Sequence, residues 1–437
     1  MMKMFRLLIH GARQIVQVVS EGQEMVTGKG MKTLSILEGR QGSEEGYSIA
    51  IDNEGKIAAI GTDEEVKDSL EDVDFEKTIN AKGKSIIPGL IDGHTHAVWA
   101  GDRVHEFAMK LQGASYIEVH KAGGGIMFTV DQVRKASEDQ LYKDLKSYLQ
   151  KMVEAGTTMV EVKSGYGLDK NTEVKMLKVI ERARNDPEVH TDISTTYCGA
   201  HAVPKGSTAD EATQDILNVQ LPYITSLMKA GSLHVDNIDV FCEKGVFDVD
   251  NTGKILEAGK NAGMAINFHA EELSCLHSAE MGAELGARAI SHLEEVSDEG
   301  IRKMAQAKTV AVILPTTAYI LRLKSPPVRQ MIDSGVPVTL GTDFNPNAHC
   351  LSMPLVMHLA CVLFKMSMDE ALMASTINAA ASLGKSTDYG SLEVGKWGDL
   401  LILNSPRWEH IIYQMGSHQY VIKHVIKSGH VVHTNSC

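Results

Sequence analysis

Short apolar runs separated by polar loops and long amphipathic stretches recur through the middle of this chain. Runs at residues 86–91, 158–162, 193–197, 237–241, 265–268, 289–291, 310–314 and 336–340 read as buried strands, bounded by turn-forming residues. Apolar positions recur at helical spacing between most of them, as at 130–155, 173–185, 208–230 and 252–262. Eight strands joined by crossover helices over ~300 residues predict a closed (β/α)8 barrel. A doubly wound open sheet is the structural alternative, but no Gly-x-Gly-x-x-Gly follows an early strand.

The flanks have a different texture. Residues 1–85 offer short alternating runs at 5–9, 48–52, 56–60 and 78–80, with a short acidic helix near 63–71. Residues 388–437 offer strand candidates at 399–403, 421–426 and 430–433, while 42–45 and 434–437 read as solvated loop and tail. Neither flank has enough strands to bury a face alone, so 1–85 and 388–437 are expected to build one small β-sandwich around a barrel at 86–387. At 437 residues the chain exceeds the ~250–300 at which a single core stops growing, which suits that division.

Composition narrows the partners. A formal net charge of −13 argues against nucleic acid or an anionic membrane, though a local arginine can still hold an anionic small molecule. Six scattered cysteines without a Cys-x-x-Cys suit a reducing cytosol better than a disulfide framework. No run approaches the ~18 unbroken apolar residues of a membrane span, and residues 5–10 are too short and interrupted for a signal peptide.

Catalytic groups of a (β/α)8 barrel sit at the C-terminal ends of its strands. Reading those positions gives His94 and His96 after strand one, Lys163 after strand two, His201 after three and Glu243 after four. His269 and Glu272 follow strand five, His292 six, Thr316 and Thr317 seven, and Asp343 eight. His94, His96, His269 and Asp343 offer three imidazoles and a carboxylate, a ligand set that suits Zn or Fe and leaves room for water. Standing alone, His269 would read as a core histidine and Asp343 as a helix cap before Pro346; their matching positions at strand ends favour one metal. The other histidines, among them His105, His120 and His349, read as surface or packing residues.

These residues in this order resemble the amidohydrolase superfamily, whose members share a distorted barrel with one or two metals. The likeness extends through the split β flanks and the run Gly390-Ser-Leu-Glu-Val-Gly-Lys-Trp-Gly-Asp-Leu-Leu-Ile402. Five further motifs are similar to the branch that opens the cyclic amide of an imidazolone ring bearing a propionate, a step of histidine degradation. They are Gly101-Asp-Arg-Val-His-Glu106, Glu161-Val-Lys-Ser-Gly-Tyr-Gly-Leu168, Gly199-Ala-His-Ala-Val-Pro204, His269-Ala-Glu-Glu-Leu-Ser274 and Asp343-Phe-Asn-Pro346. The resemblance implies a hydrolase of non-peptide carbon–nitrogen bonds in cyclic amides, acting in the cytoplasm and commonly as a homodimer.

It also implies roles. Asp343, His292 and Glu272 would carry the proton and oxyanion chemistry, Asp343 accepting a proton from a metal-activated water. Arg103 would hold the substrate carboxylate, with Tyr166, His201, Glu272, Asn345, Asn347 and Ala348 as further contacts. Binuclear relatives use a carboxylated lysine at the end of strand four; here strand four ends Asp239-Val-Phe-Cys-Glu243. One metal is therefore expected, with Lys163 structural or ion-paired. Pro346-Asn-Ala-His349 departs from the Pro-Gly-Ser or Pro-Gly-Thr expected in many bacterial members, which puts side-chain roles there in question. The rival readings are a mononuclear aminohydrolase that deaminates a heterocycle, to which His269-x-x-Glu272 is equally suited, and a scaffold that has lost its metal.

Overall fold

A computed structural model describes residues 3–39, 45–113 and 124–436. The loop at 42–44, His120 and Cys437 lie outside the described residues. Ten strands come from the flanks: β1 (Lys3–Ala12), β2 (Gln14–Val18), β3 (Ser35–Glu38), β4 (Tyr47–Ile51), β5 (Ile57–Thr62), β6 (Val73–Asn80), β7 (Ser85–Pro88), then β16 (Leu400–Leu403), β17 (Ile422–Lys427) and β18 (His430–Thr434). The eight between them are β8 (Leu90–Asp92), β9 (Thr157–Lys163), β10 (Asp192–Ala200), β11 (Asn237–Cys242), β12 (Ala265–Ala270), β13 (Ala289–His292), β14 (Val310–Ile313) and β15 (Val338–Leu340).

Strands β8 to β15 form one parallel sheet in chain order. It closes through the segments that follow its first and last strands. The N–H of Asp343 donates to the His94 carbonyl at 3.0 Å and that of His96 to the Phe344 carbonyl at 2.8 Å. Asp92 braces the same seam, its Oδ2 accepting from the Thr342 hydroxyl at 2.6 Å. Closure thus sets His94, His96 and Asp343 side by side.

The flanks make a four-stranded sheet, β5-β4-β1-β6, and a six-stranded one, β18-β17-β16-β7-β2-β3. Leu7, Ile9, Ile49 and Ile51 of the first sheet share a buried cluster with Ile15, Ile86, Leu400 and Ile402 of the second, so the two pack as a sandwich. Both chain ends contribute, as their strand count required.

Several expectations shift. The run at 86–91 is not one strand: Gly89 divides it, giving β7 to the sandwich and β8 to the barrel. A Cβ at Gly89 would lie 2.2 Å from the Thr158 hydroxyl oxygen, so only glycine lets the chain cross between layers here. The flank therefore runs past residue 85 to Pro88. The helix expected over 130–155 is two, Ile126–Lys135 and Glu138–Glu154. Ser137 caps the second by accepting from the Gln140 N–H at 3.1 Å, a contact worth ~1 kcal/mol that starts a new helix. The helix over 208–230 carries a π-turn at Ile216–Gln220, just before Pro222, which has no N–H to give. Strands β2 and β3 escaped the pattern because β2 (Gln-Ile-Val-Gln-Val) is buried throughout, its glutamines satisfied inside: Gln17 donates to the Leu392 carbonyl at 3.0 Å.

Candidate active site

The C-terminal rim of the barrel opens on a cavity of about 300 Å³. His96, His269 and Asp343 line its floor, with buried His94 beneath. Nε2 of His96 and Nε2 of His269 face each other at 3.1 Å, and Asp343 Oδ1 stands 3.5 Å from His94 Nε2 and 3.6 Å from His96 Nε2. Neither His94 Nε2 nor Asp343 Oδ1 has a hydrogen-bond partner. Unsatisfied buried lone pairs are costly, and these two lie against the facing imidazole nitrogens of His96 and His269, a donor set that could hold a metal ion. The residues present fit such an ion.

Residues behind the ligands aim them. Asp239 Oδ1 accepts from His269 Nδ1 at 2.8 Å and from the His269 N–H at 3.0 Å, leaving Nε2 as the free lone pair. Ser291 Oγ holds His94 Nδ1 at 2.9 Å. Thr95, between the two histidines, turns away from the cavity, where its N–H meets Glu161 Oε2 at 3.1 Å and its hydroxyl the Glu161 carbonyl at 2.6 Å. Thr317 donates its hydroxyl to Asp343 Oδ2, so Oδ1 alone faces the imidazoles.

Lys163 is ion-paired, as the sequence suggested. Its ammonium lies 2.6 Å from Glu161 Oε1 and 2.8 Å from Asp239 Oδ2, fully buried between them. Desolvation disfavours the charge, yet the Asp239 and Glu161 carboxylates more than offset it and raise the lysine pKa. A second group, Cys198, Asp239 and His269, also comes close enough to hold an ion. Its aspartate is already committed to Lys163 and to the imidazole N–H, so the His94 group is the better site.

Around the cavity stand the other expected residues. His292 Nε2 lies 3.8 Å from Glu272 Oε2; burial pushes the His292 pKa down to about 3, so the ring is neutral. Burial, reinforced by the Asp343 charge, pushes Glu272 up to about 8. Glu272 does not support His269, a task that Asp239 performs. Glu243 instead fixes the Glu272 loop, accepting from the Leu273 N–H at 2.9 Å and from the Ser274 hydroxyl. His292 at φ 78° and Asp343 at φ 48° occupy the left-handed region, which costs an L-residue on the order of 1 kcal/mol and recurs at functional sites.

His201 Nδ1 donates to the Gly165 carbonyl at 3.0 Å, freeing Nε2, and its ring stacks on His96 at 4.6 Å. Gly165 has φ 117°, and a Cβ there would press on the Cys198 carbonyl at 3.1 Å. Tyr166 follows and points its ring into the cavity beside His201, at 5.2 Å between centroids. Arg103 also lines the cavity, gripped by Glu106: Nε donates to Oε1 at 2.8 Å and Nη2 to Oε2 at 2.6 Å. Replacing Arg103 by Lys keeps the charge but breaks this fork, so kcat/KM is expected to fall by about 10- to 150-fold with metal content unchanged. Steady-state kinetics with metal analysis checks this; near-normal kinetics would make Arg103 a bystander.

Asn345 reaches the cavity, and its Oδ1 accepts from the N–H groups of Asn347 at 2.7 Å and Ala348 at 3.1 Å. Those two N–H groups bond within the turn, and Ala348 is buried and does not line the cavity. The Asn347 side chain does reach it, accepting from Lys110. Asp343 caps no helix, since the next one is capped by Ser352. Sequence reasoning missed Asp239, Ser291, Glu161, Glu106 and Lys110. The first three fall on strands facing the ligands, a register that could have pointed to them.

Three imidazoles and a carboxylate gathered at the rim of a (β/α)8 barrel make a site that could hold a metal ion. The chain belongs to the amidohydrolase family, a metal-dependent family whose model matches residues 85–432. Its curated relatives include a protein of Nematostella vectensis named "probable imidazolonepropionase", 58% identical over 98% of this chain and 99% of that one. Proteins of the same name from Homo sapiens, at 57% identity over 98% of each chain, and Dictyostelium discoideum, at 53% over 99% of each, are also similar. Among solved structures, an adenosine deaminase from Xanthomonas campestris with bound zinc aligns over 99% of this chain and 94% of its own, with TM-score 0.72 and 16% identity. A guanine deaminase from C. acetobutylicum aligns with TM-score 0.66 over 98% of this chain and 99% of its own, also at 16% identity. At that identity the deaminases speak for the fold alone. Among the described residues no helix is long and apolar enough to cross a membrane.

Proposed function

We propose that the protein is an imidazolonepropionase, hydrolysing the cyclic amide of 4-imidazolone-5-propanoate to N-formimidoyl-L-glutamate in histidine degradation. The carrying observation is the join of a converging metal-ligand set with a cationic end to the same cavity, in a chain 53–58% identical over nearly its full length to proteins of that name. The reading includes one metal per chain, Zn or Fe, held by His94, His96, His269 and Asp343. It places the enzyme in the cytosol, which suits the free cysteines at 198, 242, 275, 350 and 361, and assigns it a homodimeric state.

A metal held by His94, His96, His269 and Asp343 would lower the pKa of bound water toward ~7 and polarise a carbonyl oxygen. Everything else falls to the chain. Asp343, its Oδ2 held by the Thr317 hydroxyl, accepts a proton from the attacking water and returns it to the ring nitrogen as the carbon–nitrogen bond breaks. Neutral His292 donates through Nε2 to the oxygen on which charge develops. Glu272, protonated near neutral pH, and His201, with Nε2 unencumbered, meet the ring nitrogens and carbonyl. Tyr166 packs against the ring, Arg103 presents its guanidinium to the propionate, and Asn345 and Asn347 shape the polar end.

The deaminase alternative shares the metal and Glu272 but has no use for a carboxylate-binding end. Metal analysis tests the centre: about one equivalent per chain is expected, lost in His269→Ala. Two equivalents, or metal unchanged in that variant, would overturn the mononuclear reading.

A further inference from the structure

Arg103, Glu106 and Lys110 occupy i, i+3 and i+7 at the start of and along the helix Val104–Leu111 and so share one face. Arg103 and Lys110 of that face line the cavity, while Val104, Phe107 and Leu111, about 100° further round the helix, are exposed. The charges on the inner face do not cancel. Arg103 and Glu106 neutralise each other through their two-point contact, and Glu106 accepts a further bond from the Gly125 N–H at 2.8 Å. Among the described residues Lys110 donates to the neutral side-chain oxygen of Asn347 and has no ion pair with a carboxylate. Burial and the nearby Arg103 charge act against its ammonium, and the Glu106 charge offsets only part of this, so its pKa is lowered.

We propose that Lys110, positioned by Asn347, supplies the net positive charge that holds the substrate's propionate, while Arg103, already neutralised by Glu106, supplies directional hydrogen bonds. This rests on the imidazolonepropanoate reading and extends it to a specificity-determining residue. It also gives Asn347 a purpose: a glycine at that position would have no side chain with which to hold the lysine. Asp343 and Glu272 line the same cavity, so Lys110, which has no carboxylate partner among the described residues, orients the substrate, tail toward Lys110 and ring toward the histidines.

The test compares the metal-loaded wild type with Lys110→Met, which keeps the aliphatic stem, and Lys110→Arg, which keeps the charge. Removing one charge-assisted contact should raise KM for the propanoate by about 10- to 100-fold with kcat within a few-fold, and Lys110→Arg should recover most of it. The propanamide of the same ring should be turned over equally by wild type and Lys110→Met. A KM within twofold of wild type for Lys110→Met, or an equal loss on the amide, would overturn the proposal. Calorimetry with imidazole-4-propanoate against its amide reads the subsite without turnover. A carboxylate preference lost in Lys110→Met supports it even if the hydrolysis assay fails, whereas no preference in the wild type overturns it.

Discussion

Replacing His292 by Asn should leave the metal in place and the barrel folded while kcat falls by about 10²–10⁴, the usual worth of an oxyanion or acid–base group. Asparagine is the better probe than alanine, because it tolerates the left-handed backbone at φ 78°. The expectation follows from geometry: the four converging atoms belong to His94, His96, His269 and Asp343, and His292 instead faces Glu272 across the cavity. Single-turnover kinetics with metal analysis decides it. If metal leaves with activity, His292 is a ligand; if activity survives within a few-fold, it is packing.

The second large effect is expected at Lys163. Lys163→Met removes the cation between two fully buried carboxylates, and an unpaired buried charge typically costs about 3–5 kcal/mol. The urea midpoint should fall accordingly with an unchanged slope, since the same surface is exposed on unfolding. Because Asp239 also orients His269, metal affinity should weaken as well. A variant of normal stability that binds fewer metals per chain than the wild type would instead mark Lys163 as a ligand of a second ion.

The barrel was legible in the sequence because its strands are short apolar runs at regular intervals, and the candidate ligands because His94, His96, His269 and Asp343 fall just beyond three of the expected runs. Runs such as 237–241 and 265–268 fall within observed strands. The division at Gly89 was hidden, since Ile86 to Ile91 is apolar throughout and nothing in its periodicity says that the chain changes layers. The residues that aim the ligands were hidden for a different reason. Asp239 and Glu161 sit inside apolar strands, where a lone acid reads as an interruption until Lys163 is seen between them. Glu106 and Lys110 become informative only once their helix is known to turn one face to the cavity.

Product analysis after incubating the metal-loaded protein with 4-imidazolone-5-propanoate tests the central claim most directly. The account predicts addition of one water, appearance of N-formimidoyl-L-glutamate with both its nitrogens retained, and no ammonia. Stoichiometric ammonia would assign the site to deamination, and an unchanged substrate over a fully metal-loaded enzyme would contradict the account outright.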